Sequence, residues 1–558
     1  MKNNLCSILN CKHYNKCCNP IHWKFNLYGG SATQKQWSIL EHNGPFFPPE
    51  YEPHKIPIIF NSNQIILPSL AEEYATMFAK YIDTIYYTNT FKKNFWKDFK
   101  PTLPSEYNIN SLEQLDFTLI KNFLIKEKEK KNHLSKEEKD MIKKINNEIE
   151  EPYKYCIIDN KTQTVGNYKI EPPGIFLGRG LHPKSGHIKK RIYPEDVIIN
   201  ISKDATVPIP NIKDHKWGNV IHDQSVIWLA SWKENITNKN KYIFTSLDSF
   251  FKSKSDETKF DLARNLKKKI NNIRNTYENQ LNNDDEKIKQ LATSLYLIDN
   301  LALRIGGDKD TKEEADTVGV TSLRVEHIIF LEDNLIKLDF LGKDSVRYCK
   351  KIPVHMKVFE NLKNFVNNKN KKDKIFHLIK PSTLNEYLNS FMKNLTAKVW
   401  RTYNASILFQ KEIDKLKEEK ILEIDENERL NYLLAMFIQA NTSVASLCNH
   451  QKNINDSSNK TINNLDQKIK LLKQKKNKTK DNAKKKKITN KIKLLKIKKD
   501  TKSKMKNLAL DTSINNYIDP RIIFAFINKF NIPPEKILRK KLLKRFEWAS
   551  LVDKDFKF

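Results

Sequence analysis

Arg304, Lys343, Arg401, His450 and Tyr517 are spread along this chain, and together they are the side-chain types needed for attack on a phosphodiester. A phenol oxygen held by a rigid element is a nucleophile. Two arginines and a histidine can donate hydrogen bonds to non-bridging oxygens as negative charge builds in the transition state. A lysine can protonate the leaving 5′ oxygen as general acid. Such a transesterification keeps the energy of the broken bond in a phosphotyrosine, so it needs neither a metal nor ATP. Neither the H-E-x-x-H nor the G-x-x-x-x-G-K-[ST] pattern occurs in the chain. Taken singly, each residue also has an ordinary reading: Tyr517 as a packing residue, Lys343 as a solvated turn lysine, and His450 as a complement to a helix dipole.

The elements that must position these groups are legible. Asp519 followed by Pro520 is a helix N-cap with proline at the first helical position, and Ile522, Ile523, Phe526 and Ile527 supply the apolar face beyond it. Tyr517 therefore lies just outside a helix start. Ile288, Leu291, Leu295, Ile298 and Ala302 recur at helical spacing, which predicts a helix ending at Arg304 before Gly306 and Gly307. Val318 to Val354 is expected to be β, with Ile336, Leu338 and Phe340 alternating and Gly342-Lys343-Asp344 turning into another strand. A helix opened by Ser382 carries Leu384, Leu388, Phe391 and Leu395, with Arg401 further on. Another, capped by Asp425 with Glu428 three residues later, is expected to run to His450.

Upstream, a proline-rich entry (Pro45, Pro48, Pro49, Pro53) passes into helical pieces. Ser135 and Glu138 have capping-box spacing, and Met141, Ile145 and Ile149 share one face of a charged, solvated helix. A basic loop follows: Gly178, Arg179, Gly180, His182, Lys184, Gly186, then Lys189, Lys190 and Arg191. Small residues there allow close backbone approach and the cations suit phosphate contacts, although a plain surface loop fits as well.

The whole chain of 558 residues carries 99 Lys+Arg against 66 Asp+Glu, a net charge of +33 that calls for a polyanion partner, most simply nucleic acid. About half of that excess lies between Lys452 and Lys506, where 21 lysines stand against four aspartates. Two apolar seams there, Ile462, Leu465, Ile469 and Leu472, then Ile488, Ile492 and Leu495, predict an antiparallel helical hairpin. No apolar run reaches the ~18 residues that a membrane-spanning helix needs. Seven cysteines without a secretory signal indicate a reducing compartment. Cys6, Cys11, Cys17 and Cys18, with His13 and His22, fit no common zinc-ligand spacing, and no metal site is assigned.

Long collinear stretches then resemble the eukaryotic-type DNA topoisomerase I family, the type IB enzymes. They are EPPGIFLGRGLHPKSG from Glu171, RIYPEDVIINISKDA from Arg191, ADTVGVTSLRVEHI from Ala315, DFLGKDSVRY from Asp339, LTAKVWRTYNAS from Leu395, LCNHQ from Leu447 and NYIDPR from Asn516. The resemblance implies an α+β multidomain fold, a bilobed clamp around duplex DNA. Its expected parts are a short cysteine-containing segment (1–40), a mixed DNA-binding cap lobe (41–241) and a mainly helical catalytic core with a small antiparallel sheet, related to tyrosine recombinases (242–452). A coiled-coil linker (453–508) and a small helical domain bearing the nucleophile (509–558) complete it.

The family's catalytic set falls on Arg304, Lys343, Arg401, His450 and Tyr517. Its clamp lips fall on Lys184 and Glu313, and the positions lining the cleavage site and contacting camptothecin-type inhibitors fall on Arg179, Asp344 and Asn516. The implied activity is relaxation of positive and negative supercoils through a 3′-phosphotyrosyl nick, strand rotation and resealing, with no cofactor. Implied partners are supercoiled double-stranded DNA bound by a monomer, and the chromatin, replication and transcription machinery of the nucleus. Only about forty residues precede Glu41, where many relatives have a long charged region, so the tetralysine at Lys484 to Lys487 is the candidate import signal. Ile514 stands where relatives commonly have lysine, and the linker is richer in lysine than the family leads one to expect.

Two other functions compete. A tyrosine recombinase or integrase shares the Arg-Lys-Arg-His-Tyr chemistry but requires site-specific DNA and a synapse. A non-catalytic basic DNA-binding protein is allowed by charge alone, because charge confers affinity without chemistry.

Overall fold

A computed structural model describes residues 35–452, 456–505 and 507–558. The cysteine cluster at Cys6 to Cys18, with His13 and His22, lies outside these residues, as do the side chains of Lys486 and Lys487 in the tetralysine run. Two compact units emerge, Met1–Ser255 with Thr311–Ala315, and Asp256–Asp310 with Asp316–Phe558.

The first unit is mixed. Its helices include Ser69–Ala79, Asn89–Phe99, Thr118–His133 and Lys136–Glu150. Phe78, Phe91, Phe95 and Phe99 form the centre of one core, with Phe78 and Phe95 stacked at 4.1 Å between ring centroids. A second core gathers Trp37, Leu40, Phe47, Val197 and Ile199. The residue pattern by itself showed helical pieces here, while the family resemblance implied a mixed lobe, and several small sheets are present. The largest orders Asn219–Ile221, Val197–Asn200, Ala230–Lys233 and Asn240–Ile243; its first pair is parallel and the others antiparallel. Strands of three or four residues are too short to display a period of two, so they escape a pattern search.

The Ser135 and Glu138 capping box is formed as expected, and Met141, Ile145 and Ile149 on the helix behind it remain exposed. The basic loop is anchored: Asn94 Nδ2 donates to the carbonyls of Pro183 and Ser185 at 2.7 and 2.8 Å. Gly186, at φ +101°, packs so closely on the helix Asn89–Phe99 that a Cβ would lie 2.1 Å from the Phe91 carbonyl oxygen.

The second unit is mainly helical, with one three-stranded antiparallel sheet among its described residues: Ile328–Phe330, Leu335–Leu341 and Arg347–Pro353. Ile336, Leu338 and Phe340 face its core, as their alternation predicts. Residues 318–327 are not strand; they form the short turns Val320–Ser322 and Val325–His327. The helix expected to reach Arg304 spans Glu286–Leu301, because Ala302 takes a left-handed conformation at φ 50° and stops it. The helix attributed to Ser382 is Pro381–Phe391, started by proline at its first position with no side-chain cap. The helix expected after Asp425 is Glu426–Leu447, which ends short of His450.

Helices Asp456–Lys478 and Asn482–Met505 pack on each other as the expected hairpin, and Ile469, Ile492 and Leu494 are buried. Among the described residues, no helix is long and apolar enough to cross a membrane.

Candidate active site

Tyr517 sits in the turn between helices Leu510–Asn516 and Pro520–Lys529. The backbone N–H groups of Tyr517 and Ile518 both donate to the Ser513 carbonyl, at 2.9 and 3.0 Å, which closes the first helix. Asp519 opens the second by accepting from the Arg521 N–H at 2.9 Å, with Pro520 beside it. Ser406, from the helix Ala397–Asp414, clasps the link between them. Its hydroxyl donates to the Tyr517 carbonyl at 3.1 Å and accepts from the Asp519 N–H at 3.0 Å.

Two cations fasten the approach to the turn. Arg545 Nη2 donates to the Asn515 carbonyl at 2.9 Å and Lys259 Nζ to the Asn516 carbonyl at 3.1 Å. Both are held by the buried Asp256 carboxylate, at 2.6 Å from Arg545 Nε and 3.1 Å from Lys259 Nζ. Charges this deep persist only when paired and hydrogen-bonded, and here each is.

The two arginines converge on the phenol oxygen. Arg401 Nη1 donates to Tyr517 Oη at 3.1 Å and Arg304 Nη1 at 3.4 Å, while the Arg401 guanidinium carbon stands 4.9 Å from the Tyr517 ring centroid. A second Arg401 nitrogen donates to the Cys448 carbonyl at 3.2 Å. The helix bearing Arg401 is fixed by its neighbours, since Trp400 Nε1 reaches Asp299 Oδ1 at 2.9 Å and Asn404 Nδ2 the Asp299 carbonyl at 2.6 Å. Arg304 follows the helix Glu286–Leu301 in an extended segment whose carbonyl accepts from the Val320 N–H at 2.9 Å. Gly306, at φ +81°, lets that segment press on Gly319, where a Cβ would meet backbone at 2.6 Å.

His450 enters after Asn449, which turns the chain at φ 54°. Its ring lies 5.2 Å from the Tyr517 ring, and Nδ1 is 2.9 Å from Ser513 Oγ. Burial, then the charges of Arg401 and Arg304, push its pKa down to about 3. The imidazole is therefore neutral, which removes the dipole-complement reading. Among the described residues, His450 Nε2 and Arg401 Nε are buried without a hydrogen-bond partner. Buried donors in this state favour a ligand that brings acceptors.

Lys343 is exposed at the tip of the hairpin, where Asp344 and Ser345 adopt positive φ of 66° and 57°. It lines a cavity of about 60 Å³ together with Arg304, Arg401, Cys448 and Asn449. Asp344 is its neighbour on the tip. Asn516 is exposed beside Tyr517, with Nδ2 donating to the Thr512 carbonyl at 3.2 Å.

In the first unit, Arg179 and Lys190 are exposed, and Lys189 pairs with Glu171 at 2.9 Å. Arg191 is committed to Glu73 and the Pro49 carbonyl, both at 2.7 Å, so its guanidinium ties the fold together. Lys184 donates to the Ile236 carbonyl at 2.6 Å and forms an ion pair with Glu313, alongside one between Lys239 and Glu314.

Reading the sequence missed Ser406, Ser513, Asp256, Lys259 and Arg545. Ser513 alone left a signal, since it lies one helical turn before Tyr517. Ile514 is buried in the core of the second unit.

Comparison with known proteins gives three consecutive matches. The DNA-binding fragment of eukaryotic DNA topoisomerase I matches residues 35–245, its catalytic core residues 248–483, and the C-terminal topoisomerase domain residues 489–558. DNA topoisomerase 1 of Homo sapiens is 40% identical over 94% of this chain and 72% of its own length. For DNA topoisomerase 1 of Xenopus laevis the figures are 40%, 92% and 65%, and for DNA topoisomerase 1 beta of Arabidopsis thaliana 39%, 94% and 60%.

Proposed function

Since the chain belongs to the eukaryotic DNA topoisomerase I family and functions as a type IB DNA topoisomerase, we propose that Tyr517 is its nucleophile and that Arg304, Arg401, His450 and Lys343 complete its active site. Tyr517 Oη attacks the scissile phosphorus as its proton passes to solvent. The bond from phosphorus to the 5′ oxygen breaks, a 3′-phosphotyrosine forms, and Lys343 supplies the proton that makes the leaving oxygen a hydroxyl. The two guanidiniums and the neutral His450 ring donate to the non-bridging oxygens, where charge is greatest in the transition state. Rotation of the free 5′ end releases supercoils of either sign. The reverse attack by the 5′ hydroxyl reseals the strand without ATP.

The observation that carries this reading is the convergence of Arg304 and Arg401 on Tyr517 Oη beside a buried His450 whose Nε2 has no partner among the described residues. Its test is relaxation of negatively and positively supercoiled plasmid in EDTA without ATP. The parent should relax both, whereas Tyr517→Phe should bind DNA yet relax neither and form no covalent adduct. Relaxation by the variant at the parent's rate would refute the assignment.

DNA is the partner, and we assign the clamp expected of the family to duplex encirclement by a single chain, with Lys184 and Glu313 at its lips. Their ion pair supports that reading. Arg179, Lys189, Lys190, Asp344 and Asn516 are proposed to contact DNA near the cleaved strand, with Arg191 supporting the loop from behind. A nuclear location and association with chromatin, replication and transcription follow from the family. Camptothecin is expected to increase trapped cleavage complexes in a nicking assay; an unchanged yield counts against the proposed roles of Arg179, Asp344 and Asn516.

A further inference from the structure

We propose that Ser513 is a positioning residue for this reaction: its hydroxyl donates to His450 Nδ1 and so holds the imidazole in the tautomer whose single proton is on Nε2. The proposal rests on the reading of His450 as a donor to the scissile phosphate. A neutral imidazole has one N–H and one acceptor nitrogen. Because burial and two neighbouring arginines keep this ring neutral, it can donate from Nε2 only while Nδ1 accepts. Without control of the tautomer, part of the enzyme would present a lone pair to an anionic oxygen.

The geometry supplies that control. Ser513 is fully buried, and its Oγ lies 2.9 Å from Nδ1. Helical serines often bond to a carbonyl one turn back. Here, among the described residues, the hydroxyl's partner is the imidazole. A proton on Nδ1 would leave the serine's own hydrogen buried without an acceptor, which disfavours that tautomer. The other ring nitrogen, Nε2, is buried with no partner among the described residues, the condition of a donor awaiting a substrate oxygen.

The same residue also sets the nucleophile. The Ser513 carbonyl accepts from the N–H groups of Tyr517 and Ile518. Ser513 thus fixes the tyrosine's turn through its backbone and the histidine's proton through its side chain. Its position one turn before Tyr517 makes both contacts compatible with a single helix.

Two measurements test this. The first is single-turnover cleavage of an oligonucleotide that cannot be religated. Ser513→Ala should cleave about tenfold more slowly at unchanged DNA affinity, the low end of the cost of removing a partner that orients a metal-bound histidine. Ser513→Thr, which keeps the hydroxyl, should recover most of the rate. His450→Ala should lose about 100-fold, as for a lost transition-state donor, and adding Ser513→Ala to it should cost nothing more.

The second is nitrogen NMR of protein labelled with ¹⁵N-histidine, with the signal assigned by its absence in His450→Gln. The parent should show a protonated Nε2 and a bare Nδ1, and Ser513→Ala a mixture. A protonated Nδ1 in the parent overturns the proposal however the variants fold. Slow cleavage by His450→Ala beside parental cleavage by Ser513→Ala overturns the proposal alone. Parental cleavage by His450→Ala overturns the reading of His450 itself and with it the role of Ser513.

Discussion

The turn that carries Tyr517 and the lysine-rich pair of helices Asp456–Lys478 and Asn482–Met505 are both rich in cations, and they handle them in opposite ways. Around the turn the cations are enclosed and individually assigned. Arg545 is bound to Asp256, Arg521 to Asp519 and Asp261 at 2.8 Å, and Arg304 and Arg401 point at one oxygen. Along the helical pair most lysines are exposed. Its described ion pairs include Lys499 with Asp466 at 2.6 Å and Lys484 with Asp481 at 3.8 Å. The contrast teaches what each task demands. In-line attack fails when the nucleophile is misplaced by ~1 Å, so its supports must be buried and specific. Attraction to a polyanion acts over about a Debye length, ~8 Å at physiological salt, and needs charge but little geometry.

The largest expected break comes from the enclosed side. Arg545→Met leaves the Asp256 carboxylate with Lys259 but without its arginine, and removing one partner of a buried pair costs about 3–5 kcal/mol. The melting temperature should fall by several degrees and cleavage should slow, because the Asn515 carbonyl loses its anchor. A variant with parental melting and cleavage would mean that the turn holds itself.

On the open side, exchanging lysines for glutamine along the helical pair should leave single-turnover cleavage intact. The salt dependence of binding should become shallower, by roughly 0.9 in log–log slope for each phosphate that the protein no longer neutralises. Plasmid relaxation should quicken at low salt if these lysines slow strand rotation; equal rates would show that they do not.

A smaller effect is expected from Lys184→Ala. A partly exposed pair such as Lys184 with Glu313 contributes about 0–1 kcal/mol, so DNA dissociation should change by a few-fold at most, which a salt-jump measurement would resolve.

The smallest effect expected is none. In the free protein burial and two arginines push the His450 pKa down to about 3, so kcat/KM for relaxation, which reports groups of the free enzyme, should show no step near pH 6.5 that depends on this residue. Stability behaves differently. Below 6.5 the unfolded chain protonates His450 while the folded chain does not, so the unfolded state binds more protons and stability drops as pH falls towards about 3. His450→Gln should remove that part of the acid lability, which denaturant titrations at pH 7 and pH 4.5 would show.

Much of this was legible in the chain. Asp519 and Pro520 announced a helix start, Ser135 and Glu138 a capping box, and Ile462 to Leu495 a helical hairpin. Each is a local signal, carried by residues within a turn or a heptad of one another. Boundaries were less legible. The helix before Arg304 stops early because Ala302, without a glycine's freedom, takes the left-handed conformation.

The order of residues was enough to name the groups proposed to react and the elements that bear them, because side-chain chemistry and short-range periodicity are local properties. It took the folded chain to show that Arg545 and Asp256, 289 positions apart, brace the turn bearing Tyr517, and that Ser513 meets His450 across 63 positions. Such pairings carry no spacing rule. They follow from which buried polar groups are brought within reach once the core closes, since each must then find a partner or bear the cost of having none.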